Sequence, residues 1–467
     1  MKRIIAISML VLLVIGIFAG CGSSSEAPMA TAISFSKDSF TVDVSKAENI
    51  TSYINVEPAG AKVVYAVSDT SVATVSENGE LSGIKAGSVE LTASSVDGKV
   101  VATCKIIVTD NGKTSSGANG SGEANTYTMR DLSTDEIMSM TCGAVMMNDD
   151  YDGGVHFYRY TSEQFEVYES HKPDSKQYYS SACMKFSFKT DSPKLYLDVF
   201  TEEATGKKFF SFDVFVNGEY VDSLDNYGSW GTTNYVDRSF TLGDFNKTID
   251  LGEGEKQITV HFPWTVIPTV KKVSIVEGST FEPQKPDKKM LVYGDSITIG
   301  EIAARPSARY SSLLAEYLGA EEINKAIGGE QFFPELAACK EDYIPDIITV
   351  AYGTNDWRWN SRSAFEKRSV QFIENIIALY PDTPIYVITP IWRADMDSPE
   401  GFCEFTELYD LYCDLLGKYK NVTIIHGIDL VPHETSYYAD GRLHPNDEGF
   451  KKYFESLRDS VNFKFKK

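Results

Sequence analysis

Histidine is scarce in this chain, with six in 467 residues, so any role that needs an imidazole has few candidates. Cysteine is sparse too. Its seven residues are scattered, with no Cys-x-x-Cys pair and no Cys/His cluster, which argues against a zinc site. Basic charge is in deficit: 44 Lys and Arg stand against 66 Asp and Glu, a formal charge of −22. A surface of that sign repels nucleic acid and anionic membrane surfaces alike, and it leaves neutral carbohydrate as a compatible partner. Past the N-terminus no run is long and apolar enough to cross a bilayer. What is present is 42% apolar and 12% aromatic residues, enough for folded cores, in a length that suits about three domains.

The N-terminus reads as a targeting segment. Lys2-Arg3, the apolar run 4–18 and the small pair Ala19-Gly20 make a signal peptide over 1–20. Phe18-Ala19-Gly20-Cys21 resembles the lipobox of bacterial lipoproteins. That resemblance implies lipidation of Cys21, a tether over 21–30, and a protein held at the extracellular face of a bacterial membrane by its lipid alone. The alternative is a plain secretory signal with an incidental cysteine. Export permits disulfides among the six later cysteines, Cys403 and Cys413 being nearest in sequence, and six buried thiols are the other possibility.

Residues 31–110 alternate apolar and polar positions in short runs broken by Gly, Asn and Asp, the pattern of an all-β domain. The run Ser68-Asp69-Thr70-Ser71-Val72-Ala73-Thr74-Val75, then Leu81-Ser82-Gly83, then Ala86-Gly87 and Leu91-Thr92-Ala93, resembles the bacterial immunoglobulin-like group 2 module, with Tyr65 where a Trp is common. The resemblance implies a spacer or adhesive sandwich. Residues 111–126, rich in Gly, Ser and Asn, read as a flexible linker. From 127 to 285 the chain is again β-like, with Asn217-Gly218 as a hairpin signal, and its order resembles the jelly-roll domain that precedes the hydrolase domain of some carbohydrate esterases. Trp230, Tyr235 and Trp264 are read there as core aromatics, with stacking on sugar rings as the alternative.

Over 286–467 the period changes. Strand-like runs at 290–293, 323–327, 347–352, 385–389 and 422–426 alternate with helical stretches at 308–318, 363–380, 404–418 and 447–463. Such alternation predicts a parallel sheet between layers of helices, with ligands at the carboxyl ends of the strands. Four motifs fall at those ends or in the last loop. Gly294-Asp295-Ser296 follows the first strand, Ile327-Gly328-Gly329-Glu330 the second, and Gly353-Thr354-Asn355-Asp356 the third. Asp440-Gly441-Arg442-Leu443-His444-Pro445 precedes the final helix. A serine hydroxyl needs an imidazole to take its proton, and the oxyanion of acyl transfer needs preorganised N–H donors.

In this order and spacing the four motifs resemble the SGNH, or GDSL-type, hydrolase family. The resemblance implies a flavodoxin-like α/β/α domain with Ser296 as nucleophile and His444 as general base. It also implies an oxyanion hole from Ser296, Gly329 and Asn355, with no metal and no cofactor. One departure stands out. The orienting Asp usually lies three residues before the His, whereas Asp440 lies four before His444. Either the extra residue bulges and Asp440 holds the imidazole tautomer, which is the favoured reading, or a backbone carbonyl does so in a Ser-His dyad. Asp295 and Asp356 read as turn-bonding residues, and Trp357, Trp359 and Trp392 as pocket or core. The expected whole is a surface-anchored serine esterase that removes O-acetyl groups from polysaccharide. The rivals are a lipase or thioesterase acting on longer acyl chains, and an inactive carbohydrate-binding or adhesion protein.

Overall fold

Strict alternation along the strands builds the first two parts of the molecule, and unbroken apolar runs build the third. The computed structural model describes residues 28–109, apart from 36–38, 44–46, 69, 71, 77 and 85–86, and residues 127–466, apart from 152 and 228–239. The signal peptide, Cys21, the linker, Trp230 and Tyr235 lie outside the described residues. Two compact units result, Met1–Glu123 and Ala124–Lys467.

In the first unit, strands Ser39–Asp43, Val101–Thr109, Gly87–Ser95 and Val63–Val67 form one sheet in that order, and Ala47–Asn49, Glu80–Gly83 and Ala73–Val75 a second. Every other residue of Gly87–Ser95 turns inward, so Val89, Leu91 and Ala93 are buried with Leu81, Ile106 and Val108. Tyr65 packs, half-buried, at the margin of that core.

The second unit opens with two packed antiparallel sheets, described from residue 127 onward. Val266–Val276 pairs with Lys194–Glu203 in one, and Lys256–His261 lies between Lys185–Thr190 and Ser211–Val216 in the other. Asn217 and Gly218, both at positive φ (52° and 84°), make the tight turn that returns the chain from Val216 to Glu219. Phe157, Phe186, Phe188, Phe212 and Phe262 fill the space between the sheets. Trp264 is buried as well, beside Phe209. The region is not purely β. A capping box closed by Thr161 and Gln164 starts a helix, Ser162–His171, whose Tyr168 packs on Phe333 of the following layer.

That layer is a five-stranded parallel sheet: β1 (Lys288–Gly294), β2 (Ala320–Asn324), β3 (Ile347–Ala351), β4 (Ile385–Ile388) and β5 (Val422–Ile425), in the order β2-β1-β3-β4-β5. The order reverses at β1, which puts a crevice at its carboxyl end. One face is covered by the helices Arg362–Leu379 and Leu408–Leu416, together with Tyr160, Tyr168 and Tyr178 from the sandwich. Tyr310–Leu318 and Asp447–Ser460 cover the other. Phe365, Phe372, Ile373 and Ile376 are fully enclosed on one side of Arg362–Leu379, and each such side chain contributes about 1.5–3 kcal/mol of burial. Strand β2 begins three residues before the predicted 323–327. Its Glu321 and Glu322 are buried, because Lys289 and the Gly143 N–H satisfy the first and Ser312 the second. All six described cysteines are free thiols. Among the described residues no helix is long and apolar enough to cross a membrane.

Candidate active site

The end of β1 is shaped by glycine. A Cβ at Gly294 would run into Thr298 Oγ1, so the chain can turn closely there only without a side chain. Asp295 then caps the short helix α1 (Ser296–Ile299), its Oδ1 accepting the Ile297 N–H at 3.0 Å. Ser296 is the first residue of α1, so its own N–H has no acceptor within the helix. Burial pushes the Asp295 carboxyl up to about 7.

The loop before Asp447–Ser460 brings His444 back to that serine across 148 residues of chain. Its Nε2 lies 2.9 Å from Ser296 Oγ, and its Nδ1 lies 2.7 Å from Asp440 Oδ2. A carboxylate can only accept, so the proton sits on Nδ1 and Nε2 is left bare to accept from the hydroxyl. Asp440 is fixed by its second oxygen. Oδ1 accepts the backbone N–H groups of Arg442 (2.9 Å), Leu443 (2.8 Å) and His444 (3.1 Å). Gly441, at φ 65°, makes the turn that lets three successive donors converge there. The four-residue spacing therefore produces a closed loop in which Asp440 reaches the imidazole. Burial alone would raise the Asp440 carboxyl, but the bonds from His444 and the loop N–H groups hold it well below the usual carboxylate range.

Gly329 stands at φ 71° and borders the same cleft as Ser296, as does Asn355. Asn355 Nδ2 donates to Glu330 O at 2.9 Å, which orients the amide while leaving its second N–H for the cleft. Asp356, next to Asn355 on the helix Thr354–Trp359, accepts the Phe332 N–H at 3.3 Å and so ties the Gly329 loop to the end of β3. Burial pushes its carboxyl, too, up to about 7.

The three tryptophans part company. Trp359 is 61% exposed and lines the cleft. Trp357, two residues earlier, is enclosed. It donates to Cys403 O at 2.8 Å and stacks under the Arg393 guanidinium, so it is a core residue and not a substrate-facing one. Trp392 stacks on His433 and is not among the residues that line the cleft. His171 stands beside the site without being one of the predicted residues. It ends a helix and faces Glu330, next to the Gly329 loop.

The cleft holds about 580 Å³, and five charged side chains, Glu301, Arg358, Arg393, Asp395 and Arg442, stand in its wall. Arg358, Arg393 and Arg442 converge on Asp395, at 2.8, 2.6 and 2.9 Å, and Arg393 also donates to Thr354 Oγ1 at 3.0 Å. Glu301 lines the cleft as well. Sequence reading missed this network. The available signal was position, since Trp392–Asp395 follow β4 at the ligand-binding end of the sheet.

With this geometry in view, the comparisons are specific about the domain. Residues 292–452 match the GDSL-like Lipase/Acylhydrolase family. They form a GDSL-like domain, and residues 29–106 match the bacterial Ig-like domain (group 2). Two solved structures share the fold at 19% identity. They are the salicylyl-acyltransferase SsfX3 of a tetracycline biosynthetic pathway (TM-score 0.56) and a GDSL-like lipase candidate of Bacteroides ovatus (0.55). Each covers 72% of this chain and 97% of its own, so the likeness takes in the sandwich with the GDSL-like domain. A family two carbohydrate esterase of Clostridium thermocellum, solved with cellohexaose, is more distant, at 14% identity and TM-score 0.47 over 69% of this chain and 98% of that one. An uncharacterized protein of Clostridium acetobutylicum is 32% identical over 88 residues, which is 18% of this chain and 9% of that protein's length.

Proposed function

We propose that this chain is a serine esterase that removes short acyl groups, acetyl foremost, from polysaccharide by way of an acyl-serine. The observation that carries the reading is the unbroken line from Asp440 Oδ2 through His444 to Ser296 Oγ, at 2.7 and 2.9 Å. Ser296 Oγ attacks the ester carbonyl carbon while His444 Nε2 takes its proton. The Ser296 and Gly329 N–H groups and the Asn355 amide receive the oxyanion, each donor being worth about 3 kcal/mol of barrier. Collapse expels the sugar alkoxide, which takes the proton back from His444. Water, deprotonated by the same imidazole, then attacks the acyl carbon and releases acetate and free Ser296.

The substrate reading rests on the cleft wall. A groove edged by arginines, Glu301 and Asp395 suits a hydrated sugar chain, and among the described residues that line it only Trp359 and Leu443 offer apolar side chains to a fatty acyl tail. Exposed Trp359 supplies a flat face for a sugar ring at the cleft. Attachment through Cys21 at the outer face of a bacterial membrane completes the reading, and the lipobox-like sequence is its support. Acetate release from acetylated xylan and glucomannan, beside aryl esters of rising chain length, tests it in protein lacking residues 1–21. Release by the wild type, lost in Ser296→Ala and strongest on acetyl esters, is the expected result. Rates that rise with chain length would overturn the acetyl assignment in favour of a lipase. No release from any ester would overturn the esterase reading itself.

A further inference from the structure

The loop that carries Gly329 is gripped by residues of the sandwich. Residues 324–330 leave β2 and run past segment 159–180, which leads into and out of the helix Ser162–His171. Arg159, fully buried, donates from Nη1 to Asn324 O (2.8 Å) and Ala326 O (3.0 Å). Its remaining donors go to Ser180 O and Gln177 O, locking the far end of the same segment. Tyr160 donates to Lys325 O at 2.8 Å, and buried Lys325 reaches Gln164 Oε1 at 2.8 Å. Gln177 Oε1 accepts the Gly328 N–H at 2.8 Å. Glu330, nearly enclosed, is paired with His171 (3.3 Å) and Lys172 (3.1 Å), while its carbonyl accepts from Asn355 Nδ2 at 2.9 Å.

We propose that segment 159–180 is part of the oxyanion machinery. Gln177, and the His171–Lys172 pair acting through Glu330, are positioning residues that set where the Gly329 N–H and the Asn355 amide point. The inference rests on the esterase reading above. Two consecutive glycines, one of them left-handed, have more backbone freedom than any other pair, and the turn bond from the Glu330 N–H to Ile327 O (3.2 Å) is reinforced from outside by the sandwich. Gln177 fixes the Ile327–Gly328 peptide, one unit before the peptide that carries the Gly329 N–H, and a side chain at Gly328 would collide with Gln177 itself. On the other flank Glu330 links the sandwich's cations to the amide of Asn355. The sandwich thus reaches two oxyanion donors, while none of its described residues is among those that line the cleft.

The test compares wild type, Gln177→Ala, and Gln177→Glu, which keeps an acceptor oxygen at the same reach. Two readouts are taken: backbone amide hydrogen exchange over 324–333, with 440–446 as internal reference, and kcat with KM on an aryl acetate. In Gln177→Ala, exchange over 327–330 rises at least about tenfold with 440–446 unchanged. Its kcat falls about 10- to 100-fold, with KM within about twofold, because a displaced donor costs transition-state contact and little else. Gln177→Glu recovers loop protection and a large part of kcat. Unchanged loop exchange in Gln177→Ala, or faster exchange with kcat intact, overturns the proposal. A wild type that turns over no ester defeats the esterase reading instead, and exchange then still decides whether the segment holds the loop.

Discussion

Asp440→Asn probes the site at its most informative atom. The wild-type carboxylate has two separate jobs: Oδ1 takes three backbone N–H groups at 2.8–3.1 Å, and Oδ2 takes the His444 Nδ1–H at 2.7 Å. Asparagine has one carbonyl oxygen and must choose. Leaving the three loop donors unpaired costs about 1–3 kcal/mol each, so the oxygen stays with the loop and the NH2 faces His444. Nδ1 must then accept, the ring proton moves to Nε2, and the atom 2.9 Å from Ser296 Oγ becomes a donor that cannot take the serine's proton. The loop keeps its shape while the base is lost. The expected fall in kcat is about 10⁴-fold, close to 5 kcal/mol of barrier, with the variant still folded at neutral pH but with a lower Tm, because the ionised carboxylate's contribution is gone. Steady-state hydrolysis of an aryl acetate, run beside thermal unfolding, reads both quantities. Acid stability supplies a second check. The Asp440 carboxyl is held below its ordinary value, so its contribution is present above about pH 4 and is lost as pH falls through the depressed value. The asparagine variant has no such contribution to lose. A kcat loss under tenfold in a folded variant would refute this reasoning and return the orienting role to a backbone carbonyl.

Trp357→Ala is expected to destabilise the fold by about 3–5 kcal/mol, since the ring is enclosed between Arg393 and Phe405, and chemical denaturation measures that loss. Trp359→Ala should leave stability alone and raise KM on acetylated polysaccharide while sparing aryl acetates; equal effects on both substrates would remove Trp359 from sugar binding. Burial raises the Asp356 carboxyl to about 7, so the folded state holds a proton that the unfolded chain releases near pH 4. Stability from this group is therefore full below about pH 4 and is lost as pH rises towards 7. Asp356→Asn should narrow the difference in urea midpoint between pH 4.5 and 7.5, and an unchanged difference would contradict the assignment.

The parts of the site that were legible in the sequence are those whose chemistry is local. Gly294-Asp295-Ser296 combines a turn glycine, a helix cap and a hydroxyl in three residues, and the apolar run before it marks the strand. Strand β2 was misplaced because Ala-Glu-Glu-Ile-Asn does not read as a buried strand. Lys289, Ser312 and the Gly143 N–H, together with Asn324 on the strand itself, make two enclosed glutamates tolerable, and the first three lie outside the strand. The helix Ser162–His171 carried its signal in the Thr161/Gln164 capping box, but it stood among strands and lacked a clear apolar stripe. Trp357 and Trp359 differ by two positions, which on a helix sends them to different sides, and sequence does not say which side faces the cleft. Asp440 lay between the two extremes. Its distance from His444 left two geometries open, and the choice depended on where three backbone N–H groups would find an acceptor.

The clasp around Lys325 also bears on inheritance. A gene rearrangement that carried off residues 286–467 alone would take an enclosed ammonium without Gln164, and a strand end whose carbonyls had been paired by a guanidinium left behind. On the other side buried Arg159 would lose the Asn324 and Ala326 carbonyls and keep only Ser180 and Gln177 as partners. Sandwich and GDSL-like domain therefore complete one another's buried hydrogen bonding, and separating them would leave polar groups unpaired on both sides. The immunoglobulin-like unit, by contrast, closes its own core around Leu81, Leu91 and Ile106.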